Sequence, residues 1–347
     1  MTLVLCAGDR FIAASELAEA ARRNFGAGAD IATYQTSWPD TPFGPVDGVR
    51  EASGEPAALA EAATDAEVLL THLAPISRTV LARATRLSVV GVTRGGPVNA
   101  DLDAATEAGV PVVYLPGRNL GAVAEFTVGA MIGLPRNVIP SSRTLADGRW
   151  DARWFRSELT GPELRACTVG LVGLGAVGLR VAELLRGFGS TVLAYDPYAD
   201  TEQAATAGVG LVDLPELLQR SDIASVHARL TDDTRKLFGT ETFAQMKPGA
   251  YFVNTARGEL VDQAALLSAL SSGRLAGAAL DVFDPEPPDP ADPLLRRDDV
   301  LLTPHLAGAS RQVAIESAER VAAEVAEFCR TGRLEHCANP DWQTHRR

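Results

Sequence analysis

Hydrophobic positions in this chain follow two rhythms. Short unbroken apolar runs bounded by glycine, proline or acidic residues have the length of strands buried on both faces. Longer stretches with apolar residues every three or four positions have the spacing of amphipathic helices. In residues 1–117, strand runs are predicted at Leu3–Cys6, Val68–Thr71, Ser88–Val92 and Val112–Tyr114. Helical patterns alternate with them at Ser15–Arg23, Ala57–Ala63, Ser77–Ala84 and Leu102–Ala108. That alternation predicts a small α/β unit. Pro39, Pro42, Pro45, Gly48, Gly54 and Pro56 mark a loop-rich stretch inside it. From Asn119 to Gly148 runs a long helical pattern that Pro135 and Pro140 are expected to bend or break. Further strands are expected at Ile223–Val226, Ala250–Asn254, Gly277–Leu280 and Val300–Thr303, with helices at Leu214–Arg220, Thr240–Met246 and Asp262–Ser272. The tail Ser310–Cys329 reads as an amphipathic helix with Val313, Ser317, Val321, Val325 and Phe328 along one side.

The most informative stretch lies between these halves. An apolar run, Thr168–Val172, turns at Gly173-Leu174-Gly175-Ala176-Val177-Gly178 into a helix, and a second run, Thr191–Tyr195, ends on Asp196. Glycine at the first position permits a tight turn, and at the second it admits a pyrophosphate close to the backbone. The third lets the helix sit against the strand, and the free N–H groups of that helix face the anion. Asp196 stands where a carboxylate accepts hydrogen bonds from an adenosine ribose diol and repels a 2′-phosphate, so NAD is expected rather than NADP.

With 347 residues, two domains are expected. A net charge of −12, and arginines scattered rather than clustered around only two lysines, Lys236 and Lys247, exclude a phosphate-tracking nucleic-acid surface. No run approaches a membrane span, since Glu125 interrupts the one near Ala122–Leu134, and the apolar start before Asp9 is short for a signal peptide. Cys6, Cys167, Cys329 and Cys337 share no metal-like spacing; they are expected to be reduced thiols of a cytoplasmic protein, with no metal site.

A nicotinamide that exchanges hydride with a carbonyl needs a cation to hold the substrate, a proton carrier, and a group orienting its carboxamide. Arg257, Asp281, Glu286 and His305 all follow predicted strands of the C-terminal half, where an open parallel sheet places ligands. His305 is the proton carrier by its near-neutral pKa, and Glu286 can fix its tautomer and stabilise imidazolium. The segments GLGAVG with YDPY, SVHARLTDDTR, MKPGAYFVNTARGELVD, LAGAALDVFDPEPP and LLTPHLAG resemble, in order and spacing, the D-isomer-specific 2-hydroxyacid dehydrogenases.

That resemblance implies an α/β fold of two Rossmann-like, doubly wound parallel-sheet domains with the active site in the cleft between them. Residues 1–117 plus 309–347 are then the substrate domain, and 118–308 the NAD-binding domain. It implies that Arg257 clamps the substrate, that His305 with Glu286 transfers the proton, and that Asp281 holds the nicotinamide amide. Gly173, Gly175, Ala176, Val177, Gly178, Asp196, Ala256, His305 and Gly308 would line the cofactor. Arg94-Gly95-Gly96 aligns with the family's carboxylate loop, so the amides of Gly95 and Gly96 would bind the acid. The activity implied is NAD-dependent interconversion of a small 2-keto acid and a D-2-hydroxy acid, in a homodimer to which the Asn119–Gly148 region contributes.

Two departures bear on the substrate. Arg94 stands where a small residue is common, and Arg229 replaces a proline beside the cofactor. Extra guanidiniums fit a substrate with a second anionic group; alternatively Arg94 pairs with a carboxylate of its own domain and Arg229 lies over the adenine side or in solvent. His72 reads as a satisfied core or loop histidine rather than a cleft residue, and His227 as structural. Trp150 and Trp154 either line a partner's cleft or simply pack. Two other functions share the architecture. One is an NAD(H)-sensing corepressor-like protein. The other is formate dehydrogenase, whose histidine pairs with glutamine where this chain has Glu286.

Overall fold

The computed structural model describes residues 2–39 and 42–345; the remaining residues of the expected terminal ranges and of the loop-rich stretch lie outside the described residues. The chain divides into two units, Met1–Asn119 with Ser310–Arg347, and Leu120–Ala309. It crosses between them at Asn119–Leu120 and Ala309–Ser310, where the family resemblance implies crossings at 117–118 and 308–309.

The first unit contains β1 (Thr2–Gly8), β2 (Ala29–Gln35), β3 (Gly44–Val46), β4 (Val49–Ala52), β5 (Val68–Thr71), β6 (Val89–Val92) and β7 (Val112–Val113). Five of these form a sheet in the order β2-β1-β5-β6-β7, every pair parallel. Parallel neighbours need crossovers, and helices such as Ala14–Phe25, Pro56–Ala62 and Leu102–Glu107 supply them. Strand β2 was not expected. It lies at the sheet's edge and is at most half-buried along its length, so ADIATYQ carries no apolar run. The proline-punctuated stretch also holds the hairpin β3–β4, turned at Asp47 and Gly48, both with positive φ.

The C-terminal helix Arg311–Thr331 completes this unit. Ser310 caps it by accepting a hydrogen bond from the Val313 amide, and Gly332, with φ of 73°, ends it. The predicted stripe Val313, Ser317, Val321, Val325 and Phe328 is buried, and three of its four apolar members, Val321, Val325 and Phe328, share a core with Val4, Cys6, Leu17 and Val89. Burying one such aliphatic side chain contributes about 1.5–3 kcal/mol. The approach is close enough that a Cβ on Gly91 of β6 would lie 2.7 Å from Val321 Cγ2.

The second unit opens with helices Leu120–Gly133 and Val138–Ala146. The break expected within 119–148 falls at Pro135–Asn137, where Asn137 adopts φ of 52°. Pro140 breaks nothing; it lies in the first turn of the second helix, where no intrahelical N–H is needed. Seven strands follow: β8 (Thr168–Val172), β9 (Thr191–Tyr195), β10 (Gly210–Leu211), β11 (Ile223–Val226), β12 (Ala250–Asn254), β13 (Leu275–Leu280) and β14 (Val300–Leu302). They pair in parallel as β10-β9-β8-β11-β12-β13-β14. Strand order reverses between β8 and β11, so loops leaving the carboxyl ends there diverge and open a crevice. Among the described residues, no helix is long and apolar enough to cross a membrane.

Candidate active site

The glycine turn after β8 is built for an anion. Gly173 has φ of 98°, and a Cβ on it would stand 2.6 Å from the Ala228 amide nitrogen. A Cβ on Gly178 would stand 2.4 Å from the Gly173 carbonyl oxygen, so the helix Ala176–Phe188 rests directly on the turn. Around Gly175 a Cβ would meet nothing within 4 Å. No side chain caps this helix, and the amides of Ala176, Val177 and Gly178 occupy the first turn, where intrahelical acceptors are lacking. Close packing at two glycines and open space at the third fit a diphosphate held on the helix N-terminus. Asp196, at the end of β9, accepts from the Leu174 amide at 2.8 Å and the Tyr198 amide at 2.9 Å, one on each oxygen. Each oxygen keeps a lone pair for a ribose hydroxyl.

Arg257 follows β12, and its loop is braced from within. The buried Asn254 side chain accepts from the Ala256 amide at 3.0 Å and donates to the Arg257 carbonyl at 2.8 Å. A Cβ on Gly258 would fall 2.0 Å from the Phe283 carbonyl, so only glycine lets this loop touch the one after β13. The Arg257 guanidinium is exposed, with Nη1 donating to the Ala256 carbonyl at 2.6 Å.

Asp281, at the end of β13, is 1% exposed. Its Oδ1 accepts from the Thr303 hydroxyl at 2.6 Å and the Leu306 amide at 2.7 Å, and its Oδ2 from the Ala307 amide at 2.8 Å. Its carbonyl accepts from the His305 amide at 2.8 Å. These bonds clamp the loop after β14 on both sides of His305, which has φ of 55°, an unfavourable conformation for a side chain with a Cβ. Of the role expected for Asp281, one acceptor position on Oδ2 is left for a carboxamide; the rest of the carboxylate holds the histidine loop.

His305 Nδ1 lies 2.8 Å from Glu286 Oε2, and Glu286 Oε1 accepts from the Phe283 amide at 2.9 Å. A carboxylate only accepts, so Nδ1 carries a hydrogen and Nε2 is the free end of the ring. The hydrogen bond to Glu286 raises the His305 pKa above the ordinary imidazole value; burial opposes it, while the charges of Glu286 and Asp281 add to it. Burial alone would push the Glu286 carboxyl up, but hydrogen bonds from His305 and the Phe283 amide, with the charges of His305 and Arg257, leave it lowered. Both shifts favour the charged forms, imidazolium beside carboxylate.

The second unit thus holds the glycine turn, Asp196, Ala256, Arg257, Asp281, Glu286, His305 and Gly308; Arg94, Gly95 and Gly96 lie in the first unit, after β6. Arg94 Nη2 pairs with Glu51 Oε2 at 3.0 Å, the alternative in which it serves its own domain. Arg229 is exposed. His72 is buried against Asp9, with Nδ1 2.7 Å from Oδ2, and desolvation lowers its pKa despite that partner. His227 bonds the Ser225 hydroxyl at 3.0 Å, and burial lowers it to about 4. Asn254 and Thr303, the braces of the Arg257 and His305 loops, were not singled out in the sequence. Both stand inside the recognised segments, but only their bonding distinguishes them from ordinary strand-end polar residues.

Residues 128–307 match the family model described as the NAD-binding domain of D-isomer-specific 2-hydroxyacid dehydrogenases. A glyoxylate reductase of Thermofilum pendens is 40% identical over 260 residues, covering 74% of this chain and 76% of that protein. A D-3-phosphoglycerate dehydrogenase of Archaeoglobus fulgidus is 39% identical over 251 residues, covering 72% of this chain but 47% of its own length. The chain spans about half the length of such phosphoglycerate dehydrogenases. Among solved structures, the TT0316 protein of Thermus thermophilus superposes with a TM-score of 0.76 at 30% identity, over 97% of this chain and all of that one. With the glycine turn, its terminal acid and the histidine–glutamate pair already in place, these matches make the chain a member of the D-isomer-specific 2-hydroxyacid dehydrogenase family, carrying that family's NAD-binding domain.

Proposed function

We propose that this chain is an NAD-dependent oxidoreductase that interconverts a 2-keto acid and a D-2-hydroxy acid. The observation that carries the reading is the His305–Glu286 pair, whose geometry and raised imidazole pKa suit a proton donor to a nascent alkoxide. NAD, when bound, supplies or takes up the hydride. The amides of the turn around Gly175 hold the diphosphate, and Asp196 accepts from the ribose hydroxyls. Arg257 orients the carboxylate and carbonyl of the substrate, and the Gly95 and Gly96 amides bind its acid group. His305 Nε2 gives its proton to the carbonyl oxygen during reduction and takes it back during oxidation. Glu286 keeps the ring in one orientation and stabilises its charged form.

The test is NADH oxidation with a panel of 2-keto acids, comparing the parent protein with His305→Ala. Loss of the proton carrier is expected to lower turnover by ~10²–10⁴-fold, while NADH affinity, read by fluorescence titration, changes far less. A variant that keeps near-parental turnover overturns the assignment.

The proposal extends to a homodimer. Leu145, Trp150 and Phe155 are large apolar side chains left exposed in the second unit, Trp150 at 81% and Phe155 at 79%. Leu145 lies in the helix Val138–Ala146, within the Asn119–Gly148 region expected to join subunits, and Trp150 and Phe155 follow just beyond it.

A further inference from the structure

The first unit carries a second cluster of charged groups at its own sheet edge. Its strands are parallel, so their carboxyl ends share one edge, and their order reverses between β1 and β5. Asp9 follows β1, His72 follows β5, Arg94 lies just beyond β6, and Arg118 lies in the segment leaving β7. Four neighbouring strand ends thus bring a carboxylate, an imidazole and two guanidiniums to the crevice where open parallel sheets bind ligands.

The local bonding gives each a distinct task. Asp9 is 1% exposed, and its Oδ1 accepts from the Phe11 amide at 2.8 Å and the Ile12 amide at 3.0 Å, while Oδ2 meets His72. The Phe11 ring packs on His72 with centroids 5.1 Å apart, and the Arg118 guanidinium lies over Phe11 at 5.8 Å from its centroid. The buried Asp9–His72 pair therefore fixes the aromatic platform on which Arg118 rests. The Leu115 amide donates to the Arg94 carbonyl at 2.8 Å, joining the Arg118 segment to the Arg94-Gly95-Gly96 loop. Arg94 is matched by Glu51. Arg118 is not matched in this way: its Nη1 is buried and has no hydrogen-bond partner among the described residues. Burial, and then the charge of Arg94, pull the Arg118 pKa down to about 10, with Asp9 offsetting only part of this. A buried guanidinium N–H lacking an acceptor, beside a second cation, is relieved by an oxyanion.

We propose that Arg118 is a subsite for a second anionic group on the substrate, with the Glu51-paired Arg94 adding only its positive charge nearby, so that the first unit selects 2-keto acids bearing a distal carboxylate or phosphate. This rests on the reading of Gly95 and Gly96 as the holders of the 2-keto acid's own carboxylate. Arg118 would touch the distal group; Asp9, His72 and Phe11 position it.

The experiment compares kcat/KM for pyruvate, 2-oxosuccinate and phosphohydroxypyruvate in the parent protein, Arg118→Gln and Arg118→Lys. The parent is expected to favour a dianionic acid, and which one it favours separates carboxylate from phosphate. Arg118→Gln should cost the dianionic acids about tenfold to a hundredfold more than it costs pyruvate, the worth of one charged hydrogen bond. Arg118→Lys should recover part of that difference, and it carries the test if Arg118→Gln does not fold. Equal losses on all three acids, or a parent that prefers pyruvate, overturn the subsite. If the parent reduces none of them, the dehydrogenase reading fails on its own, and calorimetric titration with 2-phosphoglycolate decides the subsite. Binding that weakens in Arg118→Gln supports it, and no binding to the parent overturns it.

Discussion

A raised imidazole pKa has a direction that kinetics can read. As the proposed proton donor, His305 would have to be protonated during keto-acid reduction, so the reductive rate is expected to hold below its folded-state pKa and fall as pH rises through it. Because the Glu286 hydrogen bond is the largest cause raising that pKa, Glu286→Gln should move the alkaline limb of kcat/KM to lower pH. Reduction at neutral pH is then expected to suffer more than at mildly acidic pH. Profiles of parent and variant that fall at the same pH would mean that the limb belongs to another group. Several of these candidate residues stand out in the sequence because each follows a strand and lies in a characteristic segment. The clamp by Asp281 does not, since a carboxylate that gathers a hydroxyl and two amides looks, in sequence, like one waiting for a ligand. Arg118 was passed over for a similar reason. Its significance comes from Phe11 and Arg94, which are distant in sequence.

Elements buried on both faces announce themselves, while half-exposed ones do not. Strands β5, β8, β9, β11 and β12 occur at the bounds that the apolar runs predict, because a central parallel strand must be apolar throughout. Strand β2 lies at a sheet edge and β10 at another, and both contain polar or glycine residues, so burial leaves no run to see. The Asp47-Gly48 pair between short apolar segments is a hairpin signal, masked here by the surrounding prolines. Gly91 shows how an element can depend on one missing atom. A Cβ there would lie 2.7 Å from Val321, 2.8 Å from Leu70 and 2.9 Å from Val325. All three are buried core side chains with little freedom to yield. Gly91→Ala is therefore expected to destabilise the first unit by about 1–3 kcal/mol, as overpacking does. Chemical denaturation of parent and variant measures this, and an unchanged midpoint would mean that the C-terminal helix can shift away from the sheet at little cost.

At the scale of the whole molecule, the open question is why large apolar side chains remain in water. Trp150 and Phe155 are more than three-quarters exposed, and Leu145 and Val138 are about half exposed. Scattered exposed leucines are ordinary, but two large aromatics and two aliphatics within one short segment of sequence are not. The segment follows the break at Pro135–Asn137, which ends one helix and starts the next. In the proposed homodimer a second copy would offer the same surface in return, since a two-fold interface lets one patch cover its own twin. The chain mass of 36.6 kDa makes the outcome easy to read by light scattering after size exclusion. The parent should run at twice that mass, and the double variant Trp150→Asp with Phe155→Asp should shift toward the single-chain mass. Its secondary structure should be retained, because both side chains are exposed and lie outside the buried core. A parent protein that is monomeric at micromolar concentration, or a double variant that still dimerises, removes this surface from the assembly.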